Sequence, residues 1–237
     1  MAISRQELKS DQFVSTLDSW YEFYLNYQRQ IWYGAIIAVV ILVVAYGVIA
    51  WHRGRQAHAQ ALLSAGLDAY HAPLVEGKEA PPPGITAYAT AQARAAAAGK
   101  FFAQAVSEYG STRAGRMARY YLALGEMDQD QNAAASKNLQ ALMANSQAPV
   151  ASLAANTLAN LEASEGQTAA AEAGLRRLLA HPTPLVPKTM SLMELAALVA
   201  PTQPAEARQL YQQVQQAAPD TQTAQLAARQ LAQLPQK

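Results

Sequence analysis

Four histidines, His52, His58, His71 and His181, are the residues best suited to metal or acid–base chemistry, and their spacing supplies neither. No two stand four residues apart, as ligands on one helical face would, and no HExxH run occurs. Cysteine is absent, which excludes thiolate nucleophiles, disulfides and Cys-ligated zinc but leaves the compartment open. Asp128 and Asp130 fall in a turn-forming stretch, where carboxylates ordinarily cap helices. The glycines are scattered, with no nucleophile elbow, P-loop or dinucleotide-binding cluster. A catalytic site needs titratable groups that converge, so the expectation is a non-enzyme with no catalytic residues, metal, cofactor or small-molecule substrate.

The strongest positive signal is the run of 21 residues from Ile31 to Trp51, which carries no charge. A helix of about 20 apolar residues crosses the ~30 Å hydrocarbon core of a bilayer. The run is too long for a signal-peptide core, and the segment before it mixes acids with bases. Trp32 and Tyr33 at one end, with Trp51, His52 and Arg53 at the other, fit interfacial anchors of a retained span. Only Arg29 precedes the span closely, while Arg53 and Arg55 follow it, so flanking charge leans weakly toward a cytoplasmic C-terminal side.

Before the span, Phe13, Leu17, Trp20, Tyr24, Tyr27 and Ile31 recur at spacings of 3 and 4, one stripe of a helix. Ser4-Arg5-Gln6-Glu7 has the form of a capping box that would start it. Such a stripe suits a helix lying along a membrane surface before it turns inward, and a docking helix for a membrane partner is the alternative. After Trp51 there are 15 Lys/Arg and 13 Asp/Glu, so the domain lacks the basic surplus that nucleic acid demands.

That domain repeats. Ala135, Ala171 and Ala207 are 36 residues apart; so are Leu139, Leu175 and Tyr211, and Leu142, Leu178 and Val214. Within each unit the spacing is i, i+4, i+7, one face of a helix. These read as second helices of helical hairpins. First helices lie upstream at Leu122-Ala123, Leu158-Ala159 and Leu195, and turn residues fall at Asp128 to Asn132, Gly166-Gln167 and Pro201 to Pro204. His181-Pro182 and Ala218-Pro219 close the second and third units, because proline cannot continue a helix. A divergent first hairpin, with Leu63, Leu67 and Tyr70 on one helix and Ala95 to Tyr109 on the other, precedes them across a Pro81-Pro82-Pro83-Gly84 loop. Asp220 or Thr221 can cap a last helix bearing Leu226, Leu231 and Leu234.

This pattern resembles a tetratricopeptide-repeat (TPR) array, with a small residue early in helix A, alanine opening helix B, a large apolar residue four later and a closing proline. The period is 36 rather than 34 and the usual helix A aromatic is missing, a longer period that Sel1-type repeats share. The expected fold is all-α, a single transmembrane helix followed by a TPR-like helical-hairpin solenoid. Its segments are a 1–30 aromatic-rich tail, a 31–51 span, a 52–110 membrane-proximal region with the first hairpin, and 111–237 repeats with a capping helix.

A solenoid exposes its A helices along a groove. The positions expected to line it are Met117, Tyr120, Leu124 and Met127 in the first unit, Leu153, Asn156 and Asn160 in the second, and Leu192 and Val199 in the third. Met and Tyr make adaptable contacts, and Asn bonds peptide backbone without choosing a sequence. The lysines with which chaperone-binding repeats clamp a C-terminal carboxylate are not recognisable.

The tail and anchor from Phe13 to Arg55, the run from Lys100-Phe101-Phe102 to Tyr109, and Leu122-Ala123-Leu124-Gly125 resemble the bacterial ancillary Sec-translocon subunit family. The resemblance implies a bacterial inner-membrane location, a cytoplasmic N-terminus and a periplasmic C-terminal domain. It also implies partners among the membrane, the translocon, folding factors and emerging chains. The expected role is a membrane-anchored scaffold that assists secretion or folding. The alternatives are a structural adaptor for a pilus, secretion or outer-membrane machine, and a cytoplasm-facing regulator.

Overall fold

The computed structural model describes the backbone of residues 5–75, 86–145 and 149–235, and side chains there except at 5–26, 31, 145 and 149. Nine helices form among the described residues: α1 (Arg5–Tyr70), α2 (Ala91–Tyr109), α3 (Arg113–Met127), α4 (Asn132–Asn145), α5 (Pro149–Ser164), α6 (Thr168–Ala180), α7 (Lys188–Val199), α8 (Pro204–Ala217) and α9 (Gln222–Gln233). Beyond them, among the described residues, there is one isolated bridge, Leu74 to Tyr88.

The chain divides into two compact units, residues up to Gly54 and residues from Arg55 onward. In the first unit α1 is long and apolar enough to cross a membrane, with a mean hydropathy of 2.6 in its best window and none of that window buried. Trp32, Tyr33 and Trp51 are all well exposed, as is Arg53. Helical backbone continues from Arg5 through the whole run, so the helix does not break where the sequence suggested a change of direction. Ser4 and the side chains of Phe13, Leu17, Trp20, Tyr24 and Ile31 lie outside the described residues.

In the second unit the end of α1 pairs with α2, then α3 with α4, α5 with α6 and α7 with α8, and α9 packs on α8. Alternation of first (A) and second (B) helices follows from the apolar columns. Ala135, Ala171 and Ala207 are fully buried, and the two columns that follow are buried with them. The A helices bring their own column of small residues, Ala118, Ala154 and Ser191, each with no exposed surface; small side chains there let neighbouring helices approach closely.

Turn chemistry repeats as well. Asp130 and Gly166, 36 residues apart, both adopt positive φ, and the N–H groups of Gln131 and Gln167 reach back five residues to Glu126 and Glu162 at 2.8 Å. This is the helix-ending bond pattern in which a left-handed residue lets two N–H groups return to the last turn. The third turn closes one residue more tightly: Gln203 reaches back only four residues, to Val199 at 2.7 Å, and no residue in it has positive φ. Thr90, Thr112 and Thr221 cap α2, α3 and α9 through their hydroxyls.

In the first hairpin α1 and α2 meet at a glycine. A Cβ on Gly66 would clash with the edge of the Phe102 ring, which is itself buried. Only a residue without a side chain lets that ring lie on the helix.

Candidate protein-binding face

The A helices carry a line of side chains that connects one repeat to the next. The hydroxyls of Tyr120 on α3 and Thr157 on α5 lie 3.0 Å apart. One repeat on, Asn156 Nδ2 donates to Glu194 Oε1 on α7 at 3.2 Å. Tyr120 and Asn156 are 36 residues apart, so the same position of successive A helices makes the same kind of reach to the next one. At the start of the series the Tyr70 hydroxyl donates to Asp128 Oδ2 at 3.0 Å. Loss of water around the Tyr70 phenol, reinforced by that hydrogen bond to a carboxylate, raises its pKa above the usual tyrosine value.

Of the nine positions expected in the groove, Met117, Tyr120, Leu124, Met127 and Leu153 are half-buried and Asn160 is exposed. Met117 packs between the apolar cluster around Phe102 and Ala118 and the one around Leu139 and Leu158, and Tyr120 and Met127 rest on the latter. These six follow one strip along α3 and α5. The other three do not join it. Leu192 and Val199 have 0% and 1% of their surface exposed and belong to the core of the third unit, and Asn156 keeps only 3%. Its amide is turned toward Glu194 rather than outward.

The displacement in the third unit has a simple cause. Small-residue column positions Ala118 and Ala154 are 36 apart, but Ala154 and Ser191 are 37 apart, while the B-helix columns keep 36 throughout. The extra residue enters before α7, and the spacing from Ser191 to Ala207, 16 residues against 17 in the other two units, removes it again. One residue rotates a helix by about 100°, enough to exchange a surface position for a core one. In the corrected register Leu153 corresponds to Met190, Asn156 to Met193 and Asn160 to Ala197. Met190 and Met193 are half-buried and Ala197 is exposed. A comparison of Ala118, Ala154 and Ser191 in the sequence could have exposed the shift.

Three buried polar atoms in this region have no hydrogen-bond partner within the chain: Asn156 Oδ1, Glu194 Oε2 and Ser191 Oγ. Among the described residues no group of three His, Asp or Glu side chains is placed to hold a metal ion.

Stacked helical hairpins with a periodic column of small residues and a strip of adaptable side chains along their A helices define a repeat scaffold. The chain belongs to the tetratricopeptide repeat-like domain family, whose model matches residues 22–184. TPR repeats bind other proteins and are typically non-enzymatic. The chain is also similar to two structures from Podosopora anserina described as kinesin light chain nearly identical TPR-like repeats. One, a form with a single substitution, is 21% identical with a TM-score of 0.49 over 59% of this chain and 76% of that one. The other is 20% identical with a TM-score of 0.48 over 59% and 77%. Comparison with curated proteins returned no match.

Proposed function

We propose that the protein is a scaffold anchored in a bacterial inner membrane by the apolar part of α1. On this reading its repeat domain faces the periplasm and holds folding factors or emerging chains near the Sec translocon. The observation that carries it is the strip of Met117, Tyr120, Leu124, Met127, Leu153 and Asn160, continued by Met190 and Met193, none of them fully buried. Flexible thioether and amide side chains accept varied partners, since Met adapts its shape and Asn can both donate to and accept from peptide backbone. Anchoring is supported by the exposed, uncharged length of α1, and the translocon by the resemblance of the tail, anchor and first hairpin to that family.

Photocrosslinkers at Met127, Leu153 and Met193 in living cells test this reading, with one at Ala207, which is buried, as the control. Crosslinks from the three surface positions to folding factors and translocating chains are the expected result. Crosslinks only to the fixed subunits of one envelope machine would replace it with the adaptor reading. Protease digestion of spheroplasts decides the side, because a periplasmic domain is cut and a cytoplasmic one is protected.

A further inference from the structure

Near its C-terminal end each first helix is matched with one position on the second helix of its own hairpin. In the first unit these are Glu126 on α3 and Asn138 on α4, and the Asn138 amide donates to both carboxylate oxygens, at 3.0 and 2.9 Å. In the third unit, with the offset of α7, they are Val199 and Leu210, both in the apolar core of that unit. The second unit has Glu162 on α5, 36 residues after Glu126, but Gly174 on α6, 36 residues after Asn138. It keeps the acid and lacks the donor.

Among the described residues nothing replaces that amide. Glu162 is half-buried, and its carboxylate makes no hydrogen bond or ion pair there. Helix stability does not account for it, because an acid in the last turn of α5 meets the negative end of the helix dipole.

Glu162 and Gly174 both line a cavity of about 330 Å³, a volume within the range of about 300 to 1,000 Å³ usual for ligand pockets. Space is freed at a second position as well. Ala155, on the same wall, stands where the first unit has Arg119 and the third has the buried Leu192. With Met143, Leu158, Ala159 and Leu178 it makes the lining largely apolar. The Ser152 and Thr183 hydroxyls, also in the lining, lie 2.7 Å apart and engage each other. Arg177 lines the cavity too, with the exposed His181 beside it. Its Nε donates to the Ala173 carbonyl at 3.3 Å, and its two terminal nitrogens have no partner among the described residues. The cavity therefore offers one charged acceptor and one charged donor of opposite sign. A neutral ligand that both donates and accepts suits such a pair better than a cation or an anion, each of which one of the two charges repels.

We infer that this cavity between α5 and α6 receives the side-chain carboxamide of a glutamine in a partner chain. Its NH2 group takes the place of the Asn138 amide on the Glu162 carboxylate, its carbonyl accepts from Arg177, and its methylenes lie along Ala155 and Ala159. None of the strip residues on the first helices line the cavity. The site depends on neither the anchor nor the translocon.

The six methionines supply the test, because Met143 lines the cavity while Met117, Met127, Met190 and Met193 lie on or beside the strip. Methyl NMR of the full chain in detergent is followed during titration with N-acetylglutamine methylamide. A saturable shift of Met143 with the strip methyls unmoved is the expected result. The capped glutamate and capped leucine analogues bind about tenfold more weakly, each lacking a donor to the carboxylate. Gly174→Asn returns the first unit's amide and abolishes the shift; its Cβ would stand 3.3 Å from that of Ala159, which a small movement accommodates. Glu162→Gln, nearly isosteric, keeps the fold and weakens binding about tenfold. Capped leucine binding as well as glutamine, or capped lysine binding better, overturns the carboxamide. Unchanged affinity in Glu162→Gln overturns the role of the acid, and a Met143 methyl that no probe moves overturns the site. Shifts confined to Met127 and Met193 overturn this site while supporting the face proposed above.

Discussion

Asn156 and Glu194 are bound through one atom of each, Nδ2 to Oε1 at 3.2 Å, and are left with Oδ1 and Oε2 buried and unpartnered. The pair joins α5 to α7 at the point where the repeat register shifts. Removing one partner of a buried hydrogen bond costs about 1–3 kcal/mol, whereas removing both together is close to neutral. Asn156→Leu and Glu194→Leu are each expected to lower stability by that amount, and the double variant by much less than the sum. Urea unfolding of the four proteins measures the coupling, and strictly additive losses would show that the contact does not hold the helices together.

Ser191 occupies the column where the other two units carry Ala118 and Ala154, and its hydroxyl is buried without a partner. Ser191→Ala therefore removes an unsatisfied polar group without opening space. A gain of about 1 kcal/mol is expected, read as a higher midpoint in urea with an unchanged slope. A loss of stability would mean that the hydroxyl is hydrogen-bonded in solution.

Gly66 has no room for a methyl group, because the Phe102 ring lies against the place its Cβ would take. Gly66→Ala is expected to cost about 1–3 kcal/mol through overpacking. Phe102→Leu in the same chain should recover part of that loss, although the leucine alone is destabilising. Thermal unfolding monitored by circular dichroism checks both, and an unchanged melting point for Gly66→Ala would refute the close packing of α1 on α2.

Tyr70 and Tyr211 both have pKa values raised above the ordinary tyrosine value of 10.0, Tyr70 by burial and its bond to Asp128, Tyr211 by burial. A raised folded-state value means that folding favours the protonated phenol. Their contribution is therefore complete below pH ~10 and is lost as pH climbs through the folded-state values. Stability should be flat in this respect near neutrality and fall above pH ~10, with a shallower fall in Tyr70→Phe and Tyr211→Phe. An equal alkaline slope in all three proteins would place the titration elsewhere.

The B helices were legible from sequence because their burial is periodic. Ala135, Leu139 and Leu142 return 36 and 72 residues later as residues of the same character, and a one-residue error would have moved them all off the face. The A helices were legible in position but not in register. Only two units share the 36-residue spacing there, and the third, whose α7 is offset by one, carries apolar residues on most of its surface, so Leu192 looked as suitable as Met193. Ala118, Ala154 and Ser191 held the missing phase, but small residues give a weak periodic signal beside leucines.

Composition and spacing alone determined the helical class, the long apolar segment and the hairpin turns, because each follows from neighbours along the chain. The tertiary structure decided what depends on distant segments meeting: which A-helix side chains remain at the surface, the Tyr120–Thr157 and Asn156–Glu194 bridges between repeats, and the Phe102 ring seated on Gly66. The physical reason is that local periodicity sets which face of a helix is apolar, whereas the angle at which that face meets its neighbour is set by packing, where a single inserted residue turns a helix by about 100°.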